Sequence, residues 1–182
     1  LAPGRLEPVT LLDKEKNLIL DTKTSLFMAP DGHGGSLSAL QKNKMITVMK
    51  ENGIKYLSYF QIDNSLVNIA DPEFIGLHIL NKSKVSSKVV KKRDWKEKVG
   101  VPAFVDGKPA VVEYSDLPDE LAMQTNQSGE LLFGFGSIAI HLFDIEFIDS
   151  ITSKELYLPY HLASKKIPYF NYDSNKVIKP ET

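Results

Sequence analysis

The stretch Tyr56-Leu-Ser-Tyr-Phe-Gln-Ile62 and the later run Asp71-Pro-Glu-Phe-Ile-Gly-Leu-His-Ile-Leu80 together decide the fold class. The first is aromatic and β-branched, which favours a buried strand that ends at Asp63-Asn64. The second opens with an aspartate cap followed by proline at the first helical position, which predicts a helix. Residues 86–90 read as the next strand. Because strand, helix and strand alternate, we expect an α/β protein with a mostly parallel sheet interrupted by hairpins.

Periodicity and turn residues predict further elements on both sides of this unit. They are a hairpin around Asp13-Lys-Glu-Lys16, a helix over 36–52 capped by Ser36 and followed by Gly53, a hairpin of strands 99–105 and 109–114 around Asp106-Gly107, a strand over 135–143, a helix from Asp144 to 151 and a helix over 158–163.

The composition excludes several classes of protein. With 42% hydrophobic and 25% charged residues, the 182-residue chain is suited to one cored domain. Its 22 basic and 23 acidic residues give a net charge of -1, which creates no global attraction to nucleic acid or anionic membranes. The absence of cysteine excludes disulfides and thiolate metal sites, and no apolar stretch approaches the length of a membrane span. We therefore expect a cytoplasmic protein that binds neither nucleic acid nor membrane.

A glycine-rich segment, Gly32-His33-Gly34-Gly35, comes immediately before the predicted first helix. It has neither the Gly-Lys-Ser/Thr ending of a Walker loop nor the Gly-x-Gly-x-x-Gly spacing. Such a segment either makes a tight turn or presents free amides to an anion or a flat base. His33 is correspondingly either a ligand contact or a solvated loop residue.

Two carboxylates lie at the ends of predicted strands. Asp63 follows a buried strand, the position at which open α/β sheets place ligands, and one carboxylate can suffice for Mg²⁺. The alternative is that Asp63 caps the following turn. Glu113 ends a strand, where it can accept paired hydrogen bonds from sugar hydroxyls beside the flat ring of Tyr114. The alternative is an exposed, unliganded pair.

Other polar residues favour structural interpretations. Residues 88–98 are strongly basic and include Trp95, a composition that can bind single-stranded nucleic acid, but Glu97 and the neutral total charge favour a solvated loop. His78 and His141 lie in apolar patterns that predict core histidines with satisfied ring nitrogens. No histidine pair has metal-ligand spacing, and no Ser-His-Asp order stands out.

Several segments resemble a known family, and they occur in its order across nearly the whole chain. They are Met28-Ala-Pro-Asp-Gly-His-Gly-Gly35, Asp63-Asn64, Leu66-Val67, Ala70-Asp-Pro-Glu-Phe-Ile-Gly76, Lys98-Val-Gly-Val101, Val111-Val-Glu-Tyr-Ser115, Gly129-Glu-Leu-Leu-Phe133, Lys165-Lys-Ile-Pro-Tyr169 and Ile178-Lys-Pro180. The chain resembles the eukaryotic-type UDP-N-acetylglucosamine pyrophosphorylases, within the wider family of UTP:sugar-1-phosphate uridylyltransferases.

The resemblance implies a Rossmann-like nucleotidyltransferase core, with a GT-A-like mixed sheet flanked by helices. The implied reaction joins UTP and a sugar 1-phosphate, with the help of Mg²⁺, to give a UDP-sugar and pyrophosphate. The implied site residues are Gly32 against the uridine, His33 near the substrate, Asp63 as the catalytic residue of the metal and nucleotide-phosphate site, Gly100 in the sugar-nucleotide pocket, and Glu113 with Tyr114 as the sugar-binding pair.

Three positions depart from the N-acetylglucosamine enzymes. His33 replaces an asparagine and is more like the residue of UTP–glucose-1-phosphate and broad UDP-sugar enzymes. Ser137 and Ile140, in Gly136-Ser-Ile-Ala-Ile-His141, replace two more asparagines, of which the first contacts the sugar. The substrate is therefore either N-acetylglucosamine 1-phosphate or a related hexose 1-phosphate. A non-catalytic sugar-nucleotide-binding module is the alternative from another class.

The resemblance also implies that residues 1–182 are the central part of one catalytic domain. The family's glycine-rich triphosphate loop belongs before Leu1, and a lysine-bearing part of the site belongs after Thr182. We therefore expect little or no turnover from these 182 residues alone.

Overall fold

A computed structural model describes residues 8–30, 32–154 and 166–179. The chain divides into two compact units, residues 1–53 with 148–182 and residues 54–147. The described elements, in chain order, are β1 (Pro8–Thr10), β2 (Leu20–Thr22), β3 (Ser25–Leu26), β4 (Met28–Pro30), α1 (Gly35–Lys42), α2 (Met45–Glu51), β5 (Tyr56–Tyr59), α3 (Pro72–Leu80), β6 (Val85–Lys91), β7 (Val101–Val105), β8 (Lys108–Val112), α4 (Asp119–Ala122), β9 (Phe135–Asp144), α5 (Ile145–Thr152), β10 (Tyr169–Asn171) and β11 (Lys176–Ile178).

The helix predicted over 158–163 lies outside the described residues. No helix in the described ranges is long and apolar enough to cross a membrane.

The first unit contains short antiparallel sheets. Strand β1 pairs with β4, and a second sheet has the order β11-β10-β2-β3. The predicted hairpin is confirmed, because Leu12 and Leu18 form an antiparallel bridge and the Asp13 amide donates to the Asn17 carbonyl at 2.9 Å. The Asn17 side chain also donates to Asp13, which lowers the pKa of that carboxyl.

The prediction of a single helix over 36–52 is wrong, because the structure has two helices there. Helix α1 ends at Lys42, where the Asn43 side chain donates to the Ala39 carbonyl at 2.8 Å. Lys44 then adopts a left-handed φ of 56°, which no continuous α-helix accommodates. Ser36 does not cap the helix either, since α1 already begins at Gly35 with Gly34 as its N-cap.

The second unit is built around the three-stranded sheet β5-β9-β6. Both β5 and β6 run antiparallel to β9, so they are parallel to each other and are connected through α3. The predicted alternation of strand, helix and strand is therefore confirmed. The expectation of mostly parallel pairing is wrong for the described strands, because β9 is inserted between the two strands that α3 connects.

Strand β5 is also shorter than predicted. It ends at Tyr59, and Ile62 is 99% exposed rather than part of a buried strand. Residues 62 and 63 form a turn in which the Asn64 amide donates to the Gln61 carbonyl at 3.1 Å.

Helix α3 begins and packs as its sequence predicts. The Asp71 carboxylate caps it by accepting from the Glu73 amide at 3.1 Å and the Phe74 amide at 3.5 Å. Its buried His78 reaches Ser86 on β6, with Nδ1 and Oγ 2.7 Å apart. The expectation that both ring nitrogens are satisfied is wrong for His78, because Nε2 has no partner among the described residues.

The hairpin β7–β8 is confirmed with the predicted turn. Asp106 and Gly107 have φ values of 50° and 74°, as a two-residue hairpin turn of the primed type requires. Val105 and Lys108 are the last pair before this turn. Strand β8 ends at Val112, so Glu113 is the first residue beyond it.

Candidate active site

Three predicted site residues meet where the β7–β8 hairpin contacts β9. The Gly100 carbonyl, just before β7, accepts a hydrogen bond from the Ser137 amide at 2.7 Å. A Cβ atom at Gly100 would lie 2.6 Å from Val111 Cγ1 and 4.0 Å from Glu113 Oε1. Any larger residue at position 100 would therefore displace the Val111 side chain of β8. We call Gly100, Glu113 and Ser137 the Gly100 cluster.

Glu113 and Tyr114 extend this cluster into solvent. Both side chains are exposed, and Tyr114 is 47% exposed. The Glu113 carbonyl accepts from the amides of Asp116 at 2.9 Å and Leu117 at 3.2 Å, so a hydrogen-bonded turn fixes the backbone at the end of β8. The carboxylate and the ring are thus held on a defined backbone and remain open to a ligand.

Ser137 lies at an irregularity of β9. Ile140 pairs with Lys88, but the next pair is Ser137 with Val89, so residues 138 and 139 form a bulge. Ala139 in this bulge has a left-handed φ of 54°. Bulges bend a strand and redirect its neighbouring side chains, and they are frequent next to active sites. The bulge therefore sets the orientation of Ser137 relative to Gly100.

Asp63 lies after β5 in the turn described above, and its side chain is exposed. Its carboxylate has no hydrogen bond or ion pair to any described residue, which leaves its oxygens available to a ligand. The described part of the chain contains no group of three or more histidine, aspartate or glutamate side chains that could hold a metal ion. A single free carboxylate still fits Mg²⁺, which usually keeps several waters and binds one or two carboxylates plus substrate phosphates.

Gly32 and His33 belong to the first unit. Gly32 has a φ of 70°, a conformation that glycine adopts without strain. Both residues are exposed in the turn before α1, and the His33 carbonyl accepts from the Ser36 amide at 3.2 Å. Asp63, Gly100, Glu113, Tyr114 and Ser137 all belong to the second unit.

The basic segment 88–98 is only partly the solvated loop that its composition predicts. Lys88 and Lys91 lie on β6, where they pair with Asp71 and Glu130. Lys92 is buried, with 6% exposure, next to Gly136 of β9. The charge of this segment gives no indication that Lys92 is buried, because its two neighbours are also basic. Periodicity does not find it either, because the last three residues of β6 before Lys92 are all exposed.

A comparison with protein families finds a match over nearly the whole sequence. A sequence profile of the family described as "UTP--glucose-1-phosphate uridylyltransferase" matches residues 8–182. This chain belongs to that family.

Individual members of the uridylyltransferase family confirm the resemblance. A "Probable UDP-N-acetylglucosamine pyrophosphorylase" of Caenorhabditis elegans is 42% identical over 96% of this chain and 35% of the relative. A human "UDP-N-acetylhexosamine pyrophosphorylase-like protein 1" is 39% identical over 97% of this chain and 34% of the relative. The chain thus spans about a third of the length of these curated relatives.

A solved structure agrees with these relatives. The crystal structure of a putative UDP-N-acetylglucosamine pyrophosphorylase from Entamoeba histolytica superimposes with a TM-score of 0.83 at 35% identity, covering 97% of this chain and 43% of that one. The predicted α/β nucleotidyltransferase fold is therefore confirmed.

Proposed function

We propose that residues 1–182 form the central part of the catalytic domain of a uridylyltransferase. The full-length protein joins UTP and a sugar 1-phosphate and releases a UDP-sugar and pyrophosphate. The observation that carries this proposal is the Gly100 cluster. The chain that contains this cluster is 42% identical to a relative named for UDP-N-acetylglucosamine pyrophosphorylase. In this proposal, Glu113 accepts hydrogen bonds from the sugar hydroxyls and the Tyr114 ring packs on the sugar.

The chemistry in this proposal is an in-line displacement at phosphorus. An oxygen of the sugar phosphate attacks the α-phosphorus of UTP and forms the new O–P bond. The bond from the α-phosphorus to the bridging oxygen breaks, and pyrophosphate leaves with its electron pair. Because the sugar phosphate is already anionic, the protein mainly needs to position the reactants and stabilise charge.

The remaining site residues take roles that the family resemblance suggests. Gly32 lies against the uridine, because its lack of a side chain lets a flat base approach the backbone. His33 contacts the substrate from the same turn. Asp63 holds Mg²⁺, which when bound neutralises charge on the phosphate oxygens.

We further propose a cytoplasmic location, with which the absence of cysteine is consistent. We expect little or no turnover from the 182 residues alone.

The choice of sugar is tested by a substrate panel. Pyrophosphate release by the full-length protein is measured with the 1-phosphates of N-acetylglucosamine, glucose and galactose. The names of the relatives favour N-acetylglucosamine 1-phosphate. His33 and the short Ser137 side chain instead favour UTP–glucose-1-phosphate or broad UDP-sugar pyrophosphorylase activity. Binding of UDP-sugars without pyrophosphate release from any of them would indicate a non-catalytic module.

The role of Asp63 is tested by Asp63→Asn. Loss of the metal-binding carboxylate should lower kcat at least about 100-fold at saturating substrates. Asp106→Asn is the matched control, because Asp106 is also an exposed turn aspartate and asparagine tolerates its φ of 50°. It should leave kcat within about twofold of the original value, as surface substitutions generally do. Equal Mg²⁺-dependent activity of Asp63→Asn and the unaltered protein would exclude this role.

A further inference from the structure

Lys92 is a buried cation in the middle of an exposed basic segment. It is 6% exposed, whereas the side chains of Lys91 and Arg93 are 70% and 86% exposed and pair with Glu130 and Glu97. No described carboxylate forms an ion pair with Lys92. Burying an ammonium that has no carboxylate partner is unfavourable, and an apolar side chain of the same length would pack there at lower cost. The charge is therefore poorly explained by stability alone.

The contacts of Lys92 connect three segments around the Gly100 cluster. Its amide donates to the Gly134 carbonyl at 2.8 Å, which ties the end of β6 to the residues before β9. Its Cγ lies 3.7 Å from the position of a Cβ atom at Gly136. Its Nζ donates to the Trp95 carbonyl at 3.4 Å, which is longer than the usual N–H···O distance. Lys92 thus spans from β9 to the segment that leads to Gly100.

The segment held by Lys92 places Gly100 directly. The Val99 amide donates to the Glu97 carbonyl at 2.9 Å, so the residues after Trp95 form a compact turn. Val99 packs on Gly136 so closely that a Cβ atom there would lie 2.4 Å from Val99 Cγ2. The next residues, Gly100 and Ser137, form the 2.7 Å hydrogen bond of the cluster. A shift of this segment would therefore move Gly100 relative to Ser137.

We propose that Lys92 is a positioning residue for the sugar subsite. Its ammonium holds the Trp95 carbonyl and its aliphatic stem supports Gly136, which keeps Gly100 and Ser137 paired beside Glu113. This inference rests on the proposed function of the Gly100 cluster. It assigns to Lys92 an effect on the sugar 1-phosphate that is separate from any effect on UTP.

The test compares three variants of the full-length protein. Lys92→Met keeps the stem and removes the donor, Lys92→Arg keeps a donor, and Lys91→Met removes the exposed neighbouring charge as a matched control. Loss of one positioning hydrogen bond should raise KM for the sugar 1-phosphate about tenfold in Lys92→Met, while KM for UTP changes less than about twofold. Lys92→Arg should recover most of this loss, and Lys91→Met should change neither KM by more than about twofold.

Stability and binding measurements separate this role from a purely structural one. A positioning role predicts that Lys92→Met unfolds at the same or a higher urea concentration, because its buried charge is gone. Equal increases in both KM values, or a KM for the sugar 1-phosphate within about twofold of the original, would overturn the inference. If Lys92→Met does not fold, Lys92→Leu, which also lacks the donor, is judged by the same ratio of KM values.

If the uridylyltransferase proposal is wrong, the kinetic experiments give a result that differs from a wrong role for Lys92. Absence of pyrophosphate release from the unaltered protein removes the uridylyltransferase proposal itself. The same variants are then compared by UDP-sugar binding, where Lys92→Met should bind about tenfold more weakly than Lys91→Met. Equal binding by these two variants, or no binding by any of them, would overturn the role of Lys92.

Discussion

The glycine at position 100 shows most directly how a single residue determines the candidate site. Gly100→Ala would place a Cβ atom 2.6 Å from Val111 Cγ1, so the Val111 side chain must move away from it. We expect KM for the sugar 1-phosphate to rise about tenfold or more, because overpacking at this point costs about 1–3 kcal/mol. Steady-state kinetics of the full-length protein measures this. Gly76→Ala on α3 is the control, since no heavy atom lies within 4 Å of its added Cβ.

Features of single residues could be predicted from the sequence only where they depend on neighbouring residues in the chain. The Asp71 cap and the Asp106-Gly107 turn were predictable, because each depends on local backbone chemistry. The burial of Lys92 and the close approach at Gly100 were not. Both depend on which distant strand packs against the residue, and neither charge nor periodicity within a short window reports that.

At the scale of elements, the bulge in β9 is the strained feature of the candidate site. The left-handed conformation of Ala139 costs about 1–2 kcal/mol for a residue with a Cβ atom. Ala139→Gly should therefore change the free energy of unfolding by less than about 1 kcal/mol, because strain relief offsets the added flexibility of the unfolded chain. Ala139→Val should destabilise the protein by about 2 kcal/mol, since β-branched residues are poorly tolerated there.

Urea unfolding of both variants measures this difference. Ala103→Val in the regular strand β7 is the control, and it should cost less than Ala139→Val because β-branched residues suit extended backbone. If Ala139→Val and Ala103→Val were equally stable, the bulge would not be strained.

Element identity was predictable for most of the described chain, and strand partners were not. The sequences of α3, β6 and the β7–β8 hairpin carry their own start, stop and turn signals. The insertion of β9 between β5 and β6 has no such local signal, because it pairs residues that are 44 to 88 positions apart in the sequence, from Lys91 with Phe135 to Tyr56 with Asp144. The break between α1 and α2 was missed for a smaller reason, since a single left-handed lysine interrupts an otherwise helical pattern.

At the scale of the whole molecule, three carboxyls make stability depend on pH in the same direction. The hydrogen bond from the Lys88 side chain lowers the pKa of Asp71, the Lys91 side chain lowers that of Glu130, and the Asn17 side chain lowers that of Asp13. A carboxyl with a lowered folded-state pKa adds stability above its unfolded-state pKa. That stability is lost as the pH falls through the folded-state value. The free energy of unfolding should therefore decline as the pH falls below about 4.

Asp71 should dominate this acid dependence. Its pair with Lys88 has side chains that are 18% and 32% exposed, whereas the Glu130–Lys91 pair is 56% and 70% exposed and better screened by solvent.

Asp71→Asn is the informative variant, because asparagine still caps α3 but does not ionise. It should be less stable than the unaltered protein at pH 7, and the difference should begin to shrink below the ordinary carboxyl pKa of about 4 and vanish as the pH falls through the lowered folded-state pKa of Asp71. Urea unfolding at a series of pH values measures this, with Glu130→Gln as the exposed control. A stability difference for Asp71→Asn that stays constant from pH 7 to about pH 3 would show that ionisation of Asp71 contributes nothing to folding.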